Sequence, residues 1–238
     1  MLTFTANDLY FDSMNYAVTT NTPSHTLSSE LTSTLRDAII TGEIAQGSKL
    51  SETKLAKELD VSRGPLREAI RRLEGMNLIQ HKPQQGARVV TLNMDLILQI
   101  YDTREALESK ACALAAVNMT SQEIDRLHRQ IDAQSKYMRD NSDSMIPAES
   151  DYAFHETIIR GSKSKIIERA LLRELYNLLK MFRYQHAFAR TSTTNALIEH
   201  RQIAYAIEQR DSELAEVTMR RHCIRARERI KRRMQTSE

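Results

Sequence analysis

The chain has 238 residues, 41% hydrophobic and 27% charged, a balance that excludes disordered and fibrous classes and leaves room for two domains with separate cores. Only 6 glycines, 4 prolines and 5% aromatics supply little turn chemistry and few stiff side chains for an all-β protein, so a mainly helical chain is expected. The formal charge of +3 does not announce a nucleic-acid binder, so any basic surface has to be local.

No stretch approaches the roughly 20 apolar residues that span a bilayer. The opening MLTFTANDLYFDSMNY has neither an early Lys or Arg nor an apolar block, so a cytoplasmic protein without a secretory leader is expected. Cys112 and Cys223 lie far apart without CxxC spacing and read as buried thiols in helices.

Residues 1–26 are rich in Thr, Asn and Ser without a sustained period, and read as an arm. Residues 27–91 form a small first domain. Leu27, Leu31, Leu35, Ile39 and Ile40 recur at helical spacing and stop at Gly42. Ser51 can cap a short second helix, SETKLAKEL, and Asp60 takes the following turn. Ser62 or Gly64 opens a third helix with Pro65 in its first turn and Leu66, Ile70 and Leu73 as its inward stripe. Two strand-like pieces, 78–81 and 87–90, flank KPQQG. Three helices and a hairpin make a winged helix-turn-helix.

Residues 92–238 read as an all-α bundle for ligand binding and dimerisation. Breaks in the helical pattern predict six helices at about 93–118, 121–140, 147–161, 164–189, 192–209 and 211–235.

A helix that enters the major groove carries long polar side chains near its N-terminus, opposite its core stripe. Arg63, Arg67, Arg71 and Arg72 fit that requirement, and Arg63 and Arg67, four apart, share a face suited to guanine edges or phosphate. His81, Lys82, Gln84 and Gln85 of the hairpin loop, with Thr53 and Lys54 at the start of the second helix, are in reach of backbone phosphates.

At these residues the chain resembles the N-terminal domain of the GntR family of bacterial transcription regulators. The resemblance rests on G-x-[IL]-x-x-G-x-x-L-x-E, on LA-x-x-L-x-VSR-x-P-[LV]-REA-[IL] and on the wing glycine Gly86, over some 60 residues without a gap. It implies that Arg63 and Arg67 contact DNA, with Ser62, Thr53 and Gly86 at the backbone or groove edge. Asp60 stands where the family usually has Gly, and Asp tolerates left-handed backbone.

Asp151 and His155 are spaced i, i+4 on one helical face. His200 and His222 lie about eleven residues either side of the turn near Asp211, so each stands roughly 16 Å from it, at one level of an antiparallel pair. A carboxylate and three imidazoles can then share a cavity. Such a mixed N and O set suits zinc, nickel, manganese or iron alike, so the identity of the ion does not follow from it, and zinc is taken as the first expectation. His25, His81, His128 and His186 have no comparable partners.

DYAFH, IEHRQIAYAIEQRDSELAE and MRRH resemble the FCD effector domain of the FadR subfamily, where D-x-x-x-H and two later histidines bind a metal. The resemblance assigns Asp151, His155, His200 and His222 to that role. TREALESKACALAA resembles the domain's first helix, whose arginine, here Arg104, points toward the ligand pocket. Lys165 stands where many members have Asn, and six helices fit the shorter, VanR-like branch.

The combination implies a homodimeric, metabolite-responsive transcription regulator of a palindromic operator, repressor or activator with repressor as the working expectation, whose effector is a small organic acid bound at the metal and at Arg104. Two rivals are an unregulated DNA-binding dimer with a structural metal and a metal-dependent hydrolase. The hydrolase lacks an aimed base, because Glu156 and Glu199, each beside a ligand, point about 100° away from it. The basic run RRHCIRARERIKRR reads as a solvated helix end. Tyr101, Tyr152, Tyr205, Met181 and Phe182 line the pocket or fill core.

Overall fold

The computed structural model describes residues 26–141, 146–186, 191–192 and 194–235, so the arm read over 1–26, apart from Thr26, and the expectation for His25 lie outside the described residues. The rest is mainly helical, as composition leads one to expect, and falls into two compact units divided between Thr91 and Leu92.

In the first unit, α1 (Leu27–Thr41) ends at Gly42, whose φ of 90° is a left-handed cap that a side chain would strain. Helix α2 (Glu52–Glu58) starts where the Ser51 side chain accepts from the Lys54 amide. Asp60 adopts φ 50° in the turn that follows. Helix α3 (Arg63–Glu74) buries Leu66, Ala69, Ile70 and Leu73 against the first two helices. Strands β1 (Ile79–Lys82) and β2 (Gly86–Val89) pair antiparallel with Ile79 opposite Val89, one residue from the predicted limits. Burial of Ile79, Ala87 and Val89 fixes this register, since sliding β2 by one residue would turn Ala87 and Val89 to solvent.

The second unit is organised around α4 (Met94–Asn118), capped by Asn93 and packed along α10 (Ser212–Gln235). Small residues make that approach close: Ala111, Cys112, Ala115 and Ala116 on α4, with Ala215, Cys223 and Ala226 on α10, are all buried. Helix α5 (Ser121–Asp140) opens on a reciprocal cap between Thr120 and Glu123. Helix α6 (Ala148–Gly161) packs on α4 and α5, as α9 (Thr194–Glu208) also does.

The predicted single helix over 164–189 is a composite. Helix α7 (Lys165–Glu168) passes into a π-helical stretch at Arg169–Leu175 and then into α8 (Tyr176–Gln185), which stops at His186. The extra residue per turn resets which side chains of α8 face the core, a shift that no 3.6-residue pattern contains. A two-residue ladder between β3 (Ile146–Pro147) and β4 (Thr191–Ser192) was also too short to read from the sequence. Among the described residues, no helix is long and apolar enough to cross a membrane.

Gly161 ends α6 against Met119, and a Cβ there would stand 2.5 Å from its Cγ. Met119 is buried and cannot withdraw freely, so Gly161→Ala should destabilise the unit by about 1–3 kcal/mol, read as a lower denaturation midpoint.

Candidate functional site

The helical unit brings His155 of α6, His200 of α9 and His222 of α10 together in its interior. Ring centroids are 5.0 Å apart for His200 and His222, the pair expected at one level, and 5.1 and 5.5 Å from His155 to His222 and His200. Phe154 stacks on the His200 ring at 3.9 Å and closes one side with hydrocarbon.

Each ring has its Nδ1 occupied from outside. Nδ1 of His222 is hydrogen-bonded to Oε2 of Glu199 at 2.7 Å, and Nδ1 of His155 lies equally close to Oε2 of Glu108, 2.7 Å, in an ion-pair contact that is out of line for a hydrogen bond. Nδ1 of His200 lies 3.1 Å from Oε1 of Gln134, whose amide nitrogen donates to the Ser150 carbonyl and so fixes which end accepts. A carboxylate only accepts, so the proton in each contact sits on Nδ1.

The three Nε2 atoms are therefore bare and face inward. Those of His155 and His222 are 3.3 Å apart, and that of His200 has no hydrogen-bond partner among the described residues. Two lone pairs at that distance repel unless a proton or a metal ion lies between them. The donor set fits a divalent ion of the zinc type.

Asp151 joins from the first turn of α6. Its Oδ1 is 3.5 Å from Nε2 of His200, and its Oδ2 is 4.0 Å from Nε2 of His155 and 2.6 Å from Nη1 of Arg183 on α8. Burial opposes ionisation of Asp151, but the Arg183 guanidinium beside it outweighs that penalty and holds the carboxyl well below the usual range. Burial pushes His200 well below the usual imidazole range, with His222 adding to the effect. It lowers His222 too, against the pull of Glu199. Both rings are thus neutral, the form that ligates metal.

Arg104 of α4 is fully buried, with its Nε 2.5 Å from Oε1 of Glu108 and its guanidinium over the rings of Tyr101 and Tyr176. Its Nη1 and Nη2 have no hydrogen-bond partner among the described residues. Oε1 of Glu108 also accepts from the Tyr176 hydroxyl at 2.9 Å. Burial resists the Glu108 charge, but Arg104 and His155 keep its carboxyl far below its ordinary value.

The sequence reading named the four inner groups and Arg104 but missed Glu108, Gln134 and Arg183. It treated Glu199 only as a badly aimed base, and that residue instead stands behind His222. The basic run of α10 is largely exposed, as at Arg220, Arg221 and Arg225, and also makes ion pairs: Arg225 and Arg229 reach Glu199 at 3.2 and 3.5 Å and Arg227 reaches Asp102 at 2.6 Å. Tyr205 is 55% exposed and neither fills core nor lines the interior, whereas Tyr101, Met181 and Phe182 are buried.

In the first unit, Arg63, Arg67 and Arg71 lie exposed along α3, opposite its buried stripe. Nε of Arg67 is 3.2 Å from Glu52, and Arg72 turns back to Ser29 and Glu68. Ser62 precedes the helix as its N-cap residue, while Thr53 on α2 and Lys82 at the hairpin are exposed. Gly86 has φ 80°, which the hairpin turn requires.

Residues 27–89 match the family of bacterial regulatory proteins called gntR, and residues 99–225 match the FCD domain. The chain is 30% identical over 198 residues to a probable D-xylose utilization operon transcriptional repressor of Paenarthrobacter nicotinovorans, covering 80% of this chain and 84% of that protein. It is 26% identical over 181 residues to YdhC, an uncharacterized HTH-type transcriptional regulator of Bacillus subtilis, covering 76% and 80%. Among solved structures, McbR/YncC of E. coli shares the fold with a TM-score of 0.65 at 18% identity, over 90% of this chain and 100% of that one.

His200 and His222 resist protonation in the folded chain, whereas the unfolded chain takes up protons below about pH 6.5. Their contribution to stability is complete above that pH and declines below it, at up to roughly 1.4 kcal/mol per group per pH unit. The melting temperature of the metal-free protein should fall between pH 7.5 and 5.5; an unchanged or rising one would contradict the geometry.

Proposed function

The chain belongs to the GntR family of bacterial regulatory proteins and carries an FCD domain, and from that premise we propose that it is a repressor governed by a small organic acid at a metal site. It is a DNA-binding transcription regulator rather than an enzyme. In our reading, Asp151, His155, His200 and His222 hold a divalent ion, zinc first. The carrying observation is the convergence of three buried imidazoles with two Nε2 atoms 3.3 Å apart, each of those two rings having a carboxylate 2.7 Å from its Nδ1.

The effector class follows from charge. Asp151 is already paired with Arg183, Glu108 with Arg104, and Glu199 with arginines of α10. The positive charge of an ion is then only partly offset by protein groups, which favours an anionic ligand. Arg104 supports a carboxylate, because its two Nη groups are buried without partners and form the fork that a carboxylate fits. The ion would supply electrostatic anchorage for that acid; Arg104 would orient it.

At the DNA face, Arg63 and Arg67 read base edges, Arg71, Lys82 and Thr53 hold phosphates, and Ser62 and Gly86 approach the backbone. The surface pair of Arg67 with Glu52 is weak enough to yield to a base. A homodimer on a palindromic operator in the cytoplasm completes the reading, with effector occupancy shifting the dimer's affinity for DNA.

Arg67→Ala should lower operator affinity by about 1–3 kcal/mol without changing ion content, measured by fluorescence anisotropy. His200→Ala should lose the ion, by elemental analysis, while non-specific DNA binding persists. Operator affinity unaffected by metal removal or by a screen of organic acids would leave the chain an unregulated DNA binder and defeat the proposal.

A further inference from the structure

Glu108 touches both functional halves of the helical unit and belongs to neither. One oxygen takes the Arg104 Nε–H at 2.5 Å and the Tyr176 hydroxyl at 2.9 Å; the other lies 2.7 Å from Nδ1 of His155, off the line of a hydrogen bond but too close for two lone pairs, so the ring nitrogen there carries the proton. Its side chain is 1% exposed and so shut off from bulk water. Arg104 can only donate, and His155 ligates through Nε2 only if its Nδ1 donates too.

The position thus demands a group that accepts on both sides. The contrast with His200 is instructive, because Gln134 suffices there: its amide accepts from the ring and donates to the Ser150 carbonyl. At Glu108 both neighbours are donors. An amide of the same shape would turn its oxygen to Arg104 and its NH2 to His155, which would force the imidazole into the form with a bare Nδ1 and a protonated Nε2.

We propose that Glu108 is a positioning residue that fixes His155 in the Nδ1–H form by accepting from Arg104 on one side and His155 on the other. The inference rests on the reading of the three histidines as an ion site. It adds that the anion-facing arginine decides which residue can stand behind a metal ligand.

The test uses the full chain in wild-type form, as Glu108→Gln, as Glu108→Asp and as the double variant Arg104→Met/Glu108→Gln. Two readings are taken: histidine tautomers in the metal-free protein by long-range 15N–1H NMR, and Zn2+ affinity by competition with a chromophoric chelator. Glu108→Gln should convert His155 to the Nε2–H tautomer and weaken Zn2+ binding roughly tenfold to a hundredfold. The double variant, whose amide is released from Arg104, should restore the Nδ1–H tautomer and most of the affinity. Glu108→Asp, with the same charge on a shorter arm, should also bind Zn2+ more weakly, and it serves where Glu108→Gln does not fold. Wild-type tautomer and affinity in either single variant, or a loss that the double variant leaves unrelieved, would overturn the inference. If the wild-type chain binds no Zn2+ while His155 is in the Nδ1–H form, the ion-site reading falls and the tautomer result alone decides the role of Glu108.

Discussion

Two imidazole nitrogens, Nε2 of His155 and Nε2 of His222, that face each other 3.3 Å apart in a buried interior are the constraint from which the rest of the helical unit can be understood. The protons of both rings are drawn to the far side by Glu199 and Glu108. Burial then keeps His200 and His222 from relieving the conflict by protonation. In our reading that arrangement keeps the histidines ready for a cation.

Maintaining that readiness needs charge deep inside helices. Arg104, Glu108 and Asp151 are all buried, and isolated charges there would cost several kcal/mol each. The chain answers with pairs, Arg104 with Glu108 and Arg183 with Asp151, and with rings that flank the guanidinium of Arg104. Breaking a pair strands its partner, so these groups constrain one another more than they add to net stability. Close packing of alanine and cysteine faces between α4 and α10 brings the carriers of those charges within reach.

Much of this was legible in sequence. Helical stripes and caps gave both the reading head and the bundle, and an i, i+4 pair plus a count outward from one turn found the inner histidines. The groups that were missed share a reason: each depends on which helices touch, not on spacing within one. Glu108 stands four residues from Arg104 on an unremarkable helix and acquires meaning only when α6 packs against α4. Arg183 reaches Asp151 from a helix whose phase is reset by the π-helical stretch, so counting in steps of 3.6 misplaces it. Glu199 was set aside because it points 100° from His200; that same angle directs it to the ring on the neighbouring helix.

X-ray absorption spectroscopy of the zinc-loaded protein tests the central claim most directly. The account predicts three imidazole rings and oxygen around the ion, with nearest scatterers at about 2.0–2.1 Å. Sulfur at about 2.3 Å, or fewer than three imidazoles, would contradict it.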